Sequence, residues 1–161
     1  MNFSTVNDPE FLILKQAIEA HPRLCGYYII DIISITDLRN AGVSQADILD
    51  KVIAYFDDPA KEPHLNYVPD DSTWLDYEVG MDAARGAVIE ALVGGPGVGH
   101  THDTIPPQDA ERYFNIFTAL FGSERQYYVR LGIGNSEYVF QRGALVVDQQ
   151  RAGILWIVED D

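Results

Sequence analysis

Apolar residues recur with helical spacing through the first two thirds of the chain and with alternating spacing near its end. Phe11, Leu14 and Ile18 fall at i, i+3 and i+7, one face of a helix. Asp8 and Pro9 open it, since proline at the first helical position forfeits an amide that has no partner there. Pro22 stops it. The run Tyr27 to Ile33 points two ways. Its β-branched residues favour a strand. However, the chain passes into Thr36-Asp37-Leu38-Arg39 with no turn signal before Asn40-Ala41-Gly42, and on that ground residues 24–35 are expected to be helical. Ser44 is the next N-cap, with Asp47 three residues on. Ile48, Val52 and Tyr55, with Leu49, Ile53 and Phe56, form a wide apolar face. Residues 57–71 hold three prolines and five acidic residues and read as a loop. A long helix is expected to open near Asp71 to Thr73. Its stripe is Trp74, Met81, Val88 and Leu92, with Tyr77 and Ala84 between them, and Gly94-Gly95-Pro96 ends it.

Residues 94–106 are rich in Gly and Pro and are expected to be a mobile connection. Pro107 restarts a helix that runs to Gly122, with Asp109 and Glu111 in the first turn, where the helix dipole favours anions. Its stripe is Ala110, Phe114, Phe117 and Phe121. From 126 to 158 the spacing becomes alternating. Tyr127, Val129, Leu131 and Ile133 are interleaved with Tyr128, Arg130 and Gly132. Gly134-Asn135 is a hairpin signal, followed by Tyr138 and Phe140. The runs Ala144 to Val147 and Ile154 to Val158 flank Asp148-Gln149-Gln150-Arg151. The expected fold is therefore α+β: a helical part (1–93), the loop, one more helix (107–122) and an antiparallel meander of three or four strands (126–158), all in one domain spanning 1–161.

Charge changes this picture most. The chain carries 25 acidic and 11 basic residues, a net −14 over 161 residues. Residues 1–111 hold −13 of it, and 57–90 alone −7. Such a surface repels nucleic acid and anionic membranes and attracts cationic partners. The single cysteine, Cys25, rules out an internal disulfide framework and is expected to be a buried, inert thiol. Residues 1–10 carry no positive side chain, as a signal peptide would need, and no apolar run reaches 18 residues. No membrane association and a cytoplasmic location are expected.

Candidate chemistry is sparse. His100, His102 and Asp103 are the one cluster that could ligate a metal, but the flanking glycines leave it unorganised, so a solvated loop with no metal or cofactor is expected. Gly94 to Gly99 lacks the Lys-Ser/Thr of a phosphate loop, and it closes a helix rather than opening one. Leu38 to Val52 has the turn of a helix-turn-helix. Its second helix would turn Asp47 and Asp50 toward phosphates with only Lys51 to offset them, so DNA recognition is not expected. No nucleophile–base constellation is legible.

The acidic stretch interleaves carboxylates with rings. Asp57, Asp58, Glu62, Asp70, Asp71, Asp76 and Glu78 lie among Tyr55, Tyr67, Trp74 and Tyr77. Carboxylates that steer and aromatic residues that anchor make an interface for a basic protein, and Asp57, Asp58, Glu62, Asp70, Asp71, Trp74, Asp76, Tyr77 and Glu78 are the expected contact set. In size and charge the chain resembles bacterial immunity proteins, which neutralise basic nuclease toxins. That resemblance implies an inhibitory binding module with a nuclease-type toxin as partner. The alternatives are a small enzyme or ligand-binding protein built on the His100/His102 loop, and a homo-oligomeric structural subunit.

Overall fold

The computed structural model describes residues 3–21, 26–57, 73–94, 105–133 and 140–159. In chain order these form α1 (Pro9–Glu19), β1 (Gly26–Ser34), α2 (Thr36–Asn40), α3 (Gln45–Phe56), a 3-10 turn (Trp74–Tyr77), β2 (Glu78–Val79), α4 (Met81–Val93), α5 (Pro107–Thr118), β3 (Gln126–Tyr128), β4 (Phe140–Val147) and β5 (Arg151–Glu159). The fold is α+β. The strands make one sheet in the order β1-β5-β4-β3-β2, with every neighbouring pair antiparallel. The C-terminal meander is present as β3, β4 and β5, and β1 and β2 from the N-terminal half extend it on either side to a sheet of five strands.

Helices cover both faces. α1, α4 and α5 pack Leu14, Val88 and Phe117 onto Ile30, Val146 and Leu155. On the opposite face, α2 and α3 pack Leu38, Ile48 and Val52 onto Ile33, Leu145 and Trp156. β5 shows the consequence: every side chain from Ala152 to Val158 is buried.

This double cover explains why residues 24–35 mislead. Residues 26–34 are strand, not helix. Ile30 and Ile32 point to one helical layer, Ile29 and Ile33 to the other. With both sides apolar, the period-2 alternation disappears and an unbroken apolar run remains. Asp31 is the exception. Its half-buried carboxyl is pushed above the usual carboxylate range by burial, against the pull of the Ile32 N–H at 2.9 Å and of Lys15.

The long helix expected from Asp71 to Val93 is also corrected. A 3-10 turn and the two residues of β2 precede α4, which starts only after Gly80. The stripe joining Trp74 to Val88 and Leu92 does not exist, because Trp74 lies in one core and Val88 and Leu92 in the other. Met81, the remaining member, is 40% exposed. The alternation of 127–133 likewise outlasts its strand. Arg130 (φ 61°) and Gly132 (φ 66°) take left-handed conformations after β3. Tyr127 and Val129 thus join the first core, and Leu131 and Ile133 the second.

Other local signals stand. Ser44 Oγ accepts the Asp47 N–H at 3.2 Å. Proline occupies the first turn of α1 and α5, and Gly94 (φ 79°) ends α4. The β4–β5 turn is held by the buried Asp148. Its Oδ1 accepts the Gln150 and Arg151 N–H groups at 2.7 and 2.6 Å, and its Oδ2 accepts the Gly122 N–H at 2.7 Å. Residues 95–104, most of the segment 94–106 expected to be mobile, lie outside the described residues, as does Cys25.

Two expectations test this arrangement. A Cβ at Gly153 would stand 2.5 Å from Phe121 Cζ and 3.0 Å from Ile32, so the close seat of α5 on β5 depends on hydrogen there. Gly153→Val should cost about 1–3 kcal/mol or more in urea unfolding, as overpacked cores do. Asp31 sets a pH dependence. Because its folded-state carboxyl holds a proton more tightly than the unfolded one, stability falls as pH rises from the ordinary value of 3.8 through the raised value. Asp31→Asn should raise the thermal midpoint at pH 7, and this gain should vanish on acidification below the ordinary value.

Candidate functional site

Charged groups are treated differently on the two sides of the sheet. On the α1/α4/α5 side, five carboxylates have cations, while the exposed Glu10, Glu19 and Glu111 make no ion pair with a described residue. Asp82 pairs with Arg85, Asp109 with Arg112, Glu90 and Glu159 with Arg142, and Asp8 with Arg151, at 2.8–3.4 Å. On the other side, Asp47 and Asp50 of α3, Asp76 of the 3-10 turn and Glu78 of β2 are exposed, and none of them makes an ion pair with a described residue. Arg39, a cation of this layer, is turned inward and donates to the Asp148 carbonyl at 2.9 Å.

Helix geometry sets out these groups. α3 buries Ile48, Leu49, Val52, Ile53 and Phe56, so Asp47, Asp50, Lys51 and Tyr55 are left facing solvent. Its N-terminus is tied to the sheet by Gln45, whose Nε2 donates to Gln126 Oε1 at 2.8 Å and to the Tyr128 hydroxyl at 3.1 Å. Glu78 is the cross-strand partner of Tyr128. Burial raises the Tyr128 phenol above its ordinary value, the Gln45 hydrogen bond opposes this, and Glu78 adds to it. Gln45, Tyr128 and Glu78 thus bring the start of α3 beside β2, and the 3-10 turn packs on α3 as well. Asp76 closes that turn by accepting the Thr73 N–H at 3.1 Å.

Rings and apolar side chains fill the spaces. Tyr55, 38% exposed, stands edge-on to Phe3 and Phe56 with centroids 5.2 and 5.5 Å away. Leu75 is 40% exposed. Tyr77 is half-buried and meets Trp74 edge-on at 5.3 Å.

Of the expected contact residues, Asp76, Tyr77 and Glu78 lie on this face, and Asp57 follows directly on α3. Trp74 does not serve as an exposed anchor: it is 6% exposed and packs in the core. Asp58, Glu62, Asp70 and Asp71 lie outside the described residues, as do His100, His102 and Asp103. Asp47, Asp50 and Leu75 complete the face and are absent from the expected set. The two aspartates were legible as the outward i, i+3 positions opposite the apolar stripe of α3. Nothing in the sequence showed that Leu75, next to a core tryptophan, would be exposed.

Elsewhere the chemistry is structural. A cleft of about 370 Å³ lies between Leu120–Glu124 and the β4–β5 turn. Its one buried carboxylate, Asp148, is engaged by three backbone N–H groups. Among the described residues no group of three or more His, Cys, Asp or Glu side chains could hold a metal, and no helix is long and apolar enough to cross a membrane. The chain matches no protein-family model, no curated protein and no solved structure.

The two rings differ in what they support. Trp74→Ala should destabilise the fold by about 3–5 kcal/mol, as truncations of buried large aromatics do. Tyr55→Ala loses only edge contacts and should cost about 1 kcal/mol in the same urea titration.

Proposed function

We propose that this chain is an inhibitory binding module that docks a basic protein on the face formed by α3, the 3-10 turn and β2. The observation that supports it is the unmatched charge there. A surface kept acidic for solubility alone can pair its carboxylates locally, as Asp8, Asp82, Glu90, Asp109 and Glu159 do on the opposite side. Here Asp47, Asp50, Asp76 and Glu78 are free for cations from another molecule. Tyr55, Tyr77 and Leu75 supply apolar area between them, where desolvation strengthens an ion pair.

A nuclease-type toxin is the partner class this chemistry suits. A nuclease presents cationic side chains to phosphates, and an acidic face that occupies the same groove competes with nucleic acid directly. A cytoplasmic site of action belongs to the same proposal.

The test begins with crosslinking mass spectrometry to identify the partner and continues with binding kinetics on the purified pair. Association should slow about ten-fold or more between roughly 0.05 and 0.5 M NaCl, while dissociation changes little. Asp47→Asn/Asp50→Asn/Glu78→Gln should slow association at low salt. Tyr77→Ala or Tyr55→Ala should instead speed dissociation, with hot-spot losses of about 2 kcal/mol. A partner without a basic surface, or a neutralised variant that associates as fast as wild type, would show that the face only keeps the protein soluble.

A further inference from the structure

We infer that the outer side of α1, extended by Ile116 of α5, is a two-fold face that takes a second copy of this chain. Leu12 and Ile13 are 46% and 68% exposed, and Ile116 is 36% exposed. α1 lies antiparallel to α5. The ring of His21 meets that of Tyr113 at one end, with centroids 6.2 Å apart. At the other end Arg151 holds both Asp8 and the Leu120 carbonyl. This register sets Ile116 beside the middle of α1. Leu12, Ile13, Gln16, Ala20 and Ile116 therefore make an uncharged strip on a molecule of net charge −14. A cationic partner gains nothing from it, in contrast to the α3 face. An apolar strip with a charged margin is the pattern of a protein–protein surface.

A second copy fits because the margin is self-complementary. Leu12, Lys15, Gln16, Glu19 and Ala20 line one shallow groove. In a two-fold contact, residue i meets j and j meets i. With two α1 helices antiparallel about an axis near Gln16, Leu12 of each copy lies over the small Ala20 of the other. Lys15 of each then faces Glu19 of the other, and this occurs twice. The same axis places the two α5 helices on one side, where Ile116 approaches Ile13 of the other copy. The exposed ion pairs fix the register, and the apolar strip supplies the driving force.

Salt gives this association its own signature. Two copies of −14 repel, and screening relieves that repulsion. The dimer should tighten as salt rises, opposite in sign to docking of a basic partner.

The experiment is sedimentation equilibrium of the full chain at up to about 0.5 mM protein, where mass action favours the dimer. Dimer is expected, with a larger dimer fraction at high salt. Ile13→Glu and Ile116→Glu should each give monomer with an unchanged far-ultraviolet spectrum and thermal midpoint. Glu19→Lys should weaken the dimer by sending two lysines against two others, and Lys15→Glu/Glu19→Lys should restore it. Wild type that stays monomeric at both salts, or dimers that survive Ile13→Glu, would overturn the face. A double reversal no tighter than Glu19→Lys alone would overturn the register.

Discussion

The burial of β5 on both faces is the constraint from which the other features follow. An antiparallel sheet commonly keeps one side wet. Here it separates two apolar clusters with no residue in common, so each helical layer must be seated against it separately. Close seating requires small residues where helices approach, which accounts for Gly153 beneath Phe117 and Phe121. It also requires the chain to cross from one side to the other. One crossing falls between the 3-10 turn and α4, around Gly80. Another follows β3, where Arg130 and Gly132 adopt left-handed backbone. An arginine in that conformation is strained, and the need to place Leu131 and Ile133 under Trp156 is a sufficient reason to hold it there. The indole N–H donates to the Ile133 carbonyl at 2.9 Å.

The same double burial decides what could be read in advance. Starts, stops and turns are local chemistry, so Pro9, Ser44, Gly94, Pro107 and the 148–151 turn were legible without tertiary knowledge. Amphipathic periodicity was legible where one side of an element meets water, as in α1, α3 and α5. It failed in β1, where neither side does and the strand looks like any apolar run. It failed again from Trp74 to Leu92, where residues at helical spacing proved to serve opposite sides of the sheet. For the candidate site, composition gave the sign and the region of the charge. It could not say which carboxylates are matched, because pairs such as Arg142 with Glu90 and Arg151 with Asp8 join residues far apart in sequence.

That distribution makes the net charge interpretable. Of the 25 acidic side chains, some are held in ion pairs on the α1/α4/α5 side, and those of the α3 face stand open. The open part sits on a firm base. α3 is anchored by its buried stripe and by a single amide, Gln45, that reaches β3, so its outward aspartates are displayed from a rigid element rather than a loop. Binding there would require little ordering of backbone, which keeps the entropic cost of association low.

The placement of the tryptophans carries a consequence for observing the molecule. The chain has two, Trp74 and Trp156, and both lie in the core beneath α2 and α3. The core beneath α1, α4 and α5 is built instead from phenylalanine and tyrosine, Phe11, Tyr113, Phe114, Phe117, Phe121 and Tyr127. Indole emission therefore reports on one half of the interior alone. If the two layers loosen at different temperatures or denaturant concentrations, the fluorescence transition follows the layer that carries the acidic face, while circular dichroism follows the helices of both. The gap between the two curves would measure how strongly a shared sheet makes its two sides melt as one.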